Sequence, residues 1–230
     1  MAAFDKRVAL VTGANRGIGR AVVRQLLDEG FKTILTARDE GKGSAAADEL
    51  GAEFVALDVS DPTSIDRCFQ TVEETYGRLD VLVNNAAIHY DTRQRGIDAD
   101  LAVVHEALAT NLFGAWRAAQ LALPLMRRNR WGRIVNVSSG AGSLASMGGG
   151  TPAYSVSKAA LNALTRVLAA ELAGTGILIN SICPGWVATD MGGPGGRPVE
   201  LGAASVMWAV TLDDDGPTGG FFRDGRPVAW

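Results

Sequence analysis

Short apolar runs alternate along the chain with longer segments in which apolar residues recur every three or four positions. The short runs predict buried strands and the longer segments predict amphipathic helices. The predicted strands span residues 8–12, 33–37, 53–57, 81–84, 133–138 and 178–182, with a last short strand and tail at 221–222 and 227–230. The first strand is apolar at residues 8–11, as expected of a strand in a sheet that is covered on both faces.

Helices are predicted between these strands, and their ends carry recognisable signals. Asp61 and Pro62 form a helix start, an N-cap acid followed by proline in the first turn, while Gly30 and Gly77 end helices. The predicted helices span 20–29, 43–50, 62 to about 76 and 101–129, with others beginning at Tyr154 and near Glu200. This alternation predicts an α/β fold, a doubly wound parallel sheet of about seven strands with helices on both faces, in one domain over residues 1–230.

Composition narrows the range of functions without naming one. The chain has 230 residues, 47% hydrophobic and 20% charged, with a formal net charge of −3. That balance gives no electrostatic reason to expect nucleic acid or an anionic membrane as a partner. The first seven residues lack a leader-like apolar run, no apolar stretch is long enough to span a bilayer, and Cys68 and Cys183 have no metal-like spacing. A cytoplasmic location without a metal site is therefore expected.

A glycine-rich turn directly follows the first predicted strand and opens the first helix. Glycines in such a turn let a pyrophosphate approach the helix N-terminus, where unpaired N–H groups favour anions. The segment contains Gly13, Asn15, Arg16, Gly17, Ile18 and Gly19. Its spacing is G-x-x-x-G-x-G, and its position favours dinucleotide binding over a plain connection.

The charge near the adenosine ribose distinguishes NADP from NAD. NAD-binding proteins place an acid at the end of the second strand, whereas a 2′-phosphate requires a cation. Here Ala37 occupies the place of that acid and Arg38 follows it, with Arg16 available from the glycine turn. Guanidinium groups suit bidentate phosphate contacts, so NADP is expected and NAD is less favoured, although Asp39 argues mildly for the opposite choice.

Tyr154 and Lys158 lie four residues apart at the start of a predicted helix, so their side chains share one helix face. Both groups have ordinary pKa values of about 10. A fixed ammonium favours the phenolate, so Lys158 is expected to lower the pKa of Tyr154 and make it a general acid–base. Taken alone, the pair is also compatible with an ordinary surface helix.

Several motifs occur in an order that resembles the short-chain dehydrogenase/reductase family, in its single-domain Rossmann form. They are Thr12-Gly13-x-x-x-Gly17-x-Gly19, Asn84-Asn85-Ala86, Asn111, Ser138-Ser139, Tyr154-x-x-x-Lys158 and Pro184-Gly185. The resemblance covers nearly the whole chain. Similarity to the carbonyl-reductase-like branch comes from residues 36–39, 184–191 and 216–225.

The resemblance implies a role for each matching residue. Tyr154 would give a proton to a carbonyl oxygen, Lys158 would hold the nicotinamide ribose, Ser139 would bond the substrate oxygen, and Asn111 would anchor a water that links Lys158 to solvent. Cofactor contacts are expected from Gly13, Asn15, Arg16, Gly17, Ile18, Gly19, Arg38, Asp58, Val59, Asn85, Ala86, Tyr154, Lys158, Pro184, Gly185, Val187 and Thr189.

The chain also departs from the family pattern. Ala87 stands where glycine is usual, and the interval from Ser139 to Tyr154 has no room for the extra helix of monomeric carbonyl reductases. A homodimer or homotetramer is therefore expected, with Ala159, Ala160 and Ala163 permitting close approach. The Gly/Pro-rich segment 192–198 predicts an open, mobile cleft without a helical lid, with Trp186 and Met147 as candidate walls.

Three functions remain open at this point. The first is NADPH-dependent reduction of an aldehyde or ketone. The second is oxidation of a secondary alcohol by an NAD(P)-dependent dehydrogenase. The third is a non-catalytic regulator that senses a dinucleotide, because a fold alone does not determine function. The complete set of Ser139, Tyr154, Lys158 and Asn111 argues against the regulator.

Overall fold

A computed structural model describes residues 6–230, so the first five residues, part of the segment without a leader-like run, lie outside the described chain. The strands are β1 Val8–Val11, β2 Lys32–Ala37, β3 Glu53–Ala56, β4 Val81–Asn84, β5 Gly132–Val137, β6 Ile177–Ile182, β7 Phe221–Arg223 and β8 Arg226–Pro227. The α-helices are α1 Gly17–Asp28, α2 Glu40–Leu50, α3 Pro62–Tyr76, α4 Leu101–Leu108, α5 Ala115–Asn129, α6 Pro152–Glu171 and α7 Val199–Val210.

The strands form one sheet in the order β3-β2-β1-β4-β5-β6-β7-β8. All neighbours pair in parallel except β7 and β8, where Phe222 lies opposite Pro227 in an antiparallel pair. The predicted α/β fold is confirmed. The sheet has eight strands rather than about seven, because the C-terminal segment turns back on β7 through a left-handed residue pair, Asp224 and Gly225.

Helices cover both faces of the sheet and bury two separate apolar layers. One layer packs α3, α5 and α6 against the sheet around Leu10, Ile34 and Ile134. The other packs α1, α2 and α7 against the opposite face around Val11 and Val135. Successive strand residues point to opposite faces, which explains why β1, at the centre of the sheet, is apolar and buried at all four positions.

The predicted continuous helix over 101–129 is interrupted by a π-helical segment, Ala109–Gly114, between α4 and α5. A π segment inserts an extra residue into the helical turn and is frequent at functional sites. Asn111 lies within it and is buried. The helical segment therefore contains a wider turn at Ala109–Gly114, which the apolar periodicity alone did not reveal.

The strand order reverses between β1 and β4, which are neighbours at the centre of the sheet. The chain runs outward from β1 through β2 to β3 on one side, and from β4 through β5 on the other. In open parallel sheets such a reversal creates a crevice at the carboxyl ends of the strands. The glycine turn, the residues after β4 and the residues after β5 all lie at this edge. Between residues 6 and 230, no helix has the length and apolar character needed to cross a membrane.

Candidate active site

The glycine turn is held by hydrogen bonds from the strand beside it. The Nδ2 of Asn85 donates to the carbonyl oxygens of Thr12 and Gly13 at 2.8 and 3.0 Å. The Thr12 hydroxyl in turn accepts from the backbone N–H groups of Asn85 and Ala86, both at 3.0 Å. Gly13 and Gly17 have φ values of +61° and +55°, a conformation that favours glycine. These bonds lock the turn against the end of β4.

A cleft of about 410 Å³ opens between the glycine turn, the carboxyl ends of the strands and the start of α6. Its lining consists of fourteen predicted site residues and eleven further residues. Predicted residues in the lining are Gly13, Asn15, Arg16, Gly17, Ile18, Arg38, Asp58, Val59, Asn85, Ala86, Tyr154, Lys158, Pro184 and Thr189. Further lining residues are Ala37, Leu57, Ala87, Ile88, Thr110, Val137, Ser138, Ala188, Asp190, Met191 and Val199.

Five predicted residues do not line the cleft. Two of them are glycines whose positions leave no room or no relaxed conformation for a side chain. A Cβ on Gly19 would lie 2.5 Å from Asn85 Nδ2, and Gly185 has a φ of +80°. The side chain of Val187 is turned towards α7, where a Cβ on Gly202 would meet its Cγ2 at 2.8 Å. The other two are Asn111, which is buried, and Ser139, which is partly exposed.

Two arginines, Arg16 and Arg38, are part of the cleft lining. Arg38 directly follows β2, and Arg16 forms an ion pair with Asp190 at 2.6 Å, with both side chains largely exposed. Asp39, whose charge argues mildly for NAD, caps α2 by accepting from the backbone N–H of Lys42 at 2.9 Å. Its carboxylate therefore has a structural task. The Oδ1 of Asp58 is already engaged by the N–H and hydroxyl of Ser60 at 2.9 and 2.6 Å.

Tyr154 and Lys158 lie in the first two turns of α6 and both are buried. Pro152 occupies the first turn, where its missing N–H costs nothing. The Nζ of Lys158 lies 5.6 Å from the centre of the Tyr154 ring and donates to the carbonyl oxygen of Val137 at 2.7 Å. The predicted pairing on one helix face is thus present, and both side chains reach the cleft.

The expected lowering of the Tyr154 pKa by Lys158 is wrong for this structure. Burial raises the pKa of Tyr154 to about 12, with a smaller lowering from a side-chain hydrogen bond with Ser139. Burial also lowers the pKa of Lys158 to about 8. Both shifts have one cause, since a low-dielectric surrounding disfavours the charged form of either group. The expectation rested on the attraction between a Tyr154 phenolate and the Lys158 ammonium. Burial is instead the largest influence on both pKa values.

The two serines after β5 have different surroundings. The Oγ of Ser139 accepts from the backbone N–H of Ala141 at 3.2 Å and bonds the side chain of Tyr154. Ser138 lines the cleft, and its buried Oγ has no hydrogen-bond partner among residues 6–230. Buried hydroxyls normally have a hydrogen-bond partner, so the Ser138 hydroxyl is available to bond a polar ligand in the cleft.

The side chain of Asn111 makes three hydrogen bonds. Its Oδ1 accepts from Ile88 N at 2.9 Å, and its Nδ2 donates to Ile88 O at 3.1 Å and to the Ser157 hydroxyl at 3.0 Å. Both Nδ2 hydrogens are therefore engaged, while Oδ1 accepts one bond and keeps a second lone pair to which a water can donate. Asn111 also joins the π segment to the strand-end loop and to α6, next to Lys158.

The segment that follows Pro184 folds back on itself without a helix. Residues Val187 and Arg197 form a bridge, as do Thr189 and Gly193, and no helix occurs between Met191 and Pro198. Arg197 binds both carboxylate oxygens of Asp224 at 2.8 and 2.9 Å. The expected lack of a helical lid is confirmed, and these bonds hold the segment in place.

The candidate walls of the substrate region differ from those expected. Trp186 is 65% exposed and donates to the Gly192 carbonyl, and Met147 is 36% exposed; neither lines the cleft, whereas Met191 does. Between Ser139 and Pro152 the described chain forms one short 3₁₀ turn, Gly140–Gly142, and no α-helix. The predicted absence of an added helix before Tyr154 is confirmed.

The residues present fit a dinucleotide. The cleft has a glycine turn at the N-terminus of α1, two cations at one end, and a buried orphaned hydroxyl with a tyrosine and a lysine at the other. A Cβ on Gly17 would touch Thr189 Cγ2 at 3.4 Å, which shows that the glycine turn lies next to the segment after β6. Among residues 6–230, no cluster of three or more His, Cys, Asp or Glu could hold a metal ion.

Sequence reasoning missed two neighbours of Tyr154. The ring of Tyr90 packs edge-on against the Tyr154 ring, with centroids 5.1 Å apart and an angle of 80°. Asp91 accepts from the backbone N–H groups of Ala153 and Tyr154 at 3.0 and 3.1 Å. Both residues lie on an irregular loop far away in sequence, so no periodicity or spacing pointed to them.

Comparison with known proteins agrees with this geometry. The profile of the family described as short chain dehydrogenase matches residues 7–197. Carbonyl reductase [NADPH] 1 of Sus scrofa is 36% identical over an alignment of 281 positions that covers 98% of this chain and 95% of the relative. That alignment is longer than the 230-residue chain, so the pig enzyme carries residues that have no counterpart here.

Solved structures show the same similarity. The NADPH-bound carbonyl reductase from chicken fatty liver superposes with a TM-score of 0.87 at 30% identity, covering 98% of this chain and 99% of that one.

The 3-oxoacyl-[acyl-carrier-protein] reductase FabG of Escherichia coli (strain K12) is 37% identical over 191 residues, 82% of this chain and 76% of the relative. The chain is thus an oxidoreductase similar to carbonyl reductases, and it belongs to the short-chain dehydrogenase family.

Proposed function

We propose that the protein reduces an aldehyde or ketone to the alcohol with NADPH, and that Tyr154 is the general acid. The single observation that carries this proposal is the meeting of a buried tyrosine and a buried lysine with the dinucleotide-type cleft. The similarity to NADPH-dependent carbonyl reductases supports the same reaction. We also propose that residues 1–230 act as one dinucleotide-binding and catalytic domain.

The bound cofactor would supply a hydride to the carbonyl carbon, and the chain supplies the rest. As negative charge develops on the carbonyl oxygen, Tyr154 donates its phenolic proton to that oxygen and Ser139 provides a second hydrogen bond. The high pKa of Tyr154 keeps the phenol protonated at neutral pH, as a general acid in reduction requires. The low-dielectric site strengthens both hydrogen bonds because little water competes with them.

Lys158 has two tasks in this proposal. Its ammonium holds the nicotinamide ribose hydroxyls, and it stabilises the phenolate that Tyr154 becomes after giving up its proton. With a pKa of about 8 it still carries charge at neutral pH. Asn111 supports the pair by fixing α6 through Ser157. A water that donates to the second lone pair of Asn111 Oδ1 would link Lys158 to solvent, as the family resemblance implies.

Arg38 and Arg16 would bind the 2′-phosphate and so favour NADPH over NADH. Arg16 would exchange its ion pair with Asp190 for the phosphate, at little cost because exposed ion pairs are weak. The backbone of the glycine turn would receive the pyrophosphate, and Asn85, Ala86, Asp58 and Val59 would line the adenosine. Pro184 and Thr189, which line the cleft, would border the nicotinamide, while Gly185 and Val187 would contribute only backbone there.

A homodimer or homotetramer remains a proposal. An exposed stripe of small apolar residues runs along α6 and would permit close approach of a second copy; its members are Val156, Ala163, Val167 and Ala170. Phe113 and Trp116 are exposed near the start of α5, at 56% and 39%. Light scattering during gel filtration tests this, and Val167→Glu is expected to reduce the mass to that of one chain.

The decisive experiment measures oxidation of NADPH and NADH over a panel of aldehydes, ketones and quinones. The wild type is expected to prefer NADPH, and Tyr154→Phe to lose turnover while it keeps the fold and NADPH affinity. Tyr76→Phe is the matched control, because Tyr76 ends α3 away from the cleft lining. Turnover that survives in Tyr154→Phe contradicts the proposal.

The two alternatives give different results in the same experiment. Efficient oxidation of secondary alcohols without carbonyl reduction would indicate the dehydrogenase. Tight NADPH binding without turnover in either direction would indicate the dinucleotide-sensing regulator. A preference for NADH would show that Arg16 and Arg38 do not select the 2′-phosphate.

A further inference from the structure

The N-terminus of α6 is capped from outside the helix. Thr151 stands at the N-cap position, and its side chain makes no capping bond. Pro152 has no N–H, and Ser155 N already bonds the carbonyl of Thr151 at 2.8 Å. Two N–H groups of the first turn, those of Ala153 and Tyr154, therefore need acceptors from elsewhere.

Asp91 supplies both acceptors. Its Oδ2 accepts from Ala153 N at 3.0 Å and its Oδ1 from Tyr154 N at 3.1 Å. These residues are 62 and 63 positions away in sequence, so the contact links two parts of the fold. A carboxylate at a helix N-terminus also interacts favourably with the helix dipole, and α6 has 20 residues.

The loop that carries Asp91 is held on both sides of it. Ile88 is bonded in both directions to the Asn111 amide, and Gln94 bridges to Gly150 just before α6. Between these anchors His89 takes a left-handed conformation with φ +56°, and its Nε2 lies 2.7 Å from Glu106 Oε2. The loop is thus fixed to both the π segment and the approach to α6.

Tyr154 is gripped at two points by adjacent residues of this loop. Asp91 bonds its backbone N–H, and the Tyr90 ring packs edge-on against its ring. The start of the same loop, Ala86 to Ile88, lines the cleft. The loop therefore connects the wall of the cofactor site with the backbone and the ring of the candidate proton donor.

We propose that Asp91 is a positioning residue for the reductase reaction: by capping α6 from the loop after β4, it places the Tyr154 hydroxyl where the carbonyl oxygen is bound. This inference rests on the proposed function, since it assigns Asp91 a task in that reaction. Asp91 touches neither substrate nor cofactor in this role. A displacement of about 1 Å at a reacting group can cost about 100-fold in rate, so the cap has kinetic consequences.

The test compares Asp91→Ala and Asp91→Asn with Asp61→Ala in the full chain. Asp61 is the control, because it is the N-cap residue of α3, accepts from Thr63 N at 2.9 Å, and is not part of the cleft lining. Asp61→Ala loses one capping bond and Asp91→Ala loses two, so Asp91→Ala is expected to lose at least as much thermal stability. Asp91→Asn keeps an acceptor oxygen and serves if the alanine variant does not fold.

Kinetics then separate positioning from stability. Asp91→Ala is expected to lower kcat by about 10-fold or more with unchanged NADPH affinity. It is also expected to increase the primary isotope effect with NADPH deuterated at the transferred position, because chemistry becomes slower relative to other steps. Asp91→Asn should recover part of kcat. A rate and isotope effect in Asp91→Ala equal to those of Asp61→Ala would overturn the proposal.

Hydrogen exchange at the amides of Ala153 and Tyr154 provides a readout that does not depend on turnover. Exchange there is expected to rise several-fold in Asp91→Ala and to stay unchanged in Asp61→Ala. If the wild type reduces no carbonyl, the proposed function fails, and exchange alone decides whether Asp91 positions the Tyr154 backbone. Unchanged exchange at both amides would overturn that role as well.

Discussion

The Nζ of Lys158 donates to the carbonyl oxygen of Val137 at 2.7 Å, which joins α6 to the last residue of β5. This bond places the ammonium at the carboxyl edge of the sheet, 5.6 Å from the Tyr154 ring. The side chain is only 2% exposed. Its position is therefore determined by packing and by one backbone acceptor. Because burial removes water from the ammonium, the charged form is disfavoured in the folded chain.

This burial of the ammonium predicts an unusual pH dependence of stability in the cofactor-free protein. The pKa of Lys158 is lowered from 10.5 to about 8 in the folded chain, so between these values the unfolded chain binds more protons. The contribution of Lys158 to the free energy of unfolding is unfavourable below about pH 8 and becomes less so as the pH rises to 10.5. Lys158→Met should therefore stabilise the protein at pH 7 by about 2 kcal/mol, with the gain fading towards pH 10.

Urea unfolding of both proteins between pH 6 and 10 measures this difference. Lys42→Met is the control, since the Lys42 side chain is 75% exposed and should show no comparable gain. A stability difference between wild type and Lys158→Met that does not change with pH would mean that Lys158 does not bury its charge.

Gly19→Ala should damage the cofactor turn. The added Cβ would lie 2.5 Å from Asn85 Nδ2 and 2.9 Å from the Gly13 carbonyl, the same two groups that bond each other. Relieving this clash by backbone shifts costs about 1–3 kcal/mol, and the turn would no longer accept a pyrophosphate. Calorimetric titration with NADPH is expected to show at least a tenfold loss of affinity.

Gly41→Ala is the matched control for that change. Gly41 lies in α2, and its added Cβ would meet nothing closer than 3.6 Å. Replacing an unstrained helical glycine by alanine should stabilise the protein by about 0.5–1 kcal/mol and leave NADPH affinity alone. Equal affinities for NADPH in the two variants would refute the assignment of the turn.

Arg38→Ala should reduce the preference for NADPH over NADH. Hydrogen bonds to a charged phosphate are worth about 1.5–3 kcal/mol, so the NADPH affinity should fall by about 10- to 100-fold with little change for NADH. Fluorescence titration with each dinucleotide measures both constants. Arg24→Ala is the control, because Arg24 lies exposed on α1 outside the cleft lining, and a similar loss there would indicate a general charge effect.

Asn111→Ala should destabilise the protein and slow catalysis together. The change leaves the N–H and carbonyl of Ile88 without their side-chain partner and releases the Ser157 hydroxyl. Leaving such groups unsatisfied costs about 1–3 kcal/mol. Thermal unfolding alongside kcat measures both effects, and Gln70→Ala on the surface of α3 should change neither. Full activity in Asn111→Ala would show that the link between the loop and α6 is dispensable.

The sequence by itself determined the α/β architecture and the main chemical groups. Apolar strand runs can be buried only if helices cover both faces, so the alternation implied the parallel sheet. Gly13, Gly17 and Gly19 were recognisable because a turn that approaches a phosphate closely excludes side chains. Tyr154 and Lys158 could be paired because four residues span about one helical turn.

The tertiary structure decided what depends on contacts between distant segments. Burial, which no local pattern reports, reversed the expected pKa shift of Tyr154. The bonds of Asn111 to Ile88 and of Asp91 to the start of α6 join residues more than 20 positions apart, with no signal in spacing or periodicity. Helix and strand periods are local properties, whereas the polarity around a side chain is set by whatever the fold brings beside it.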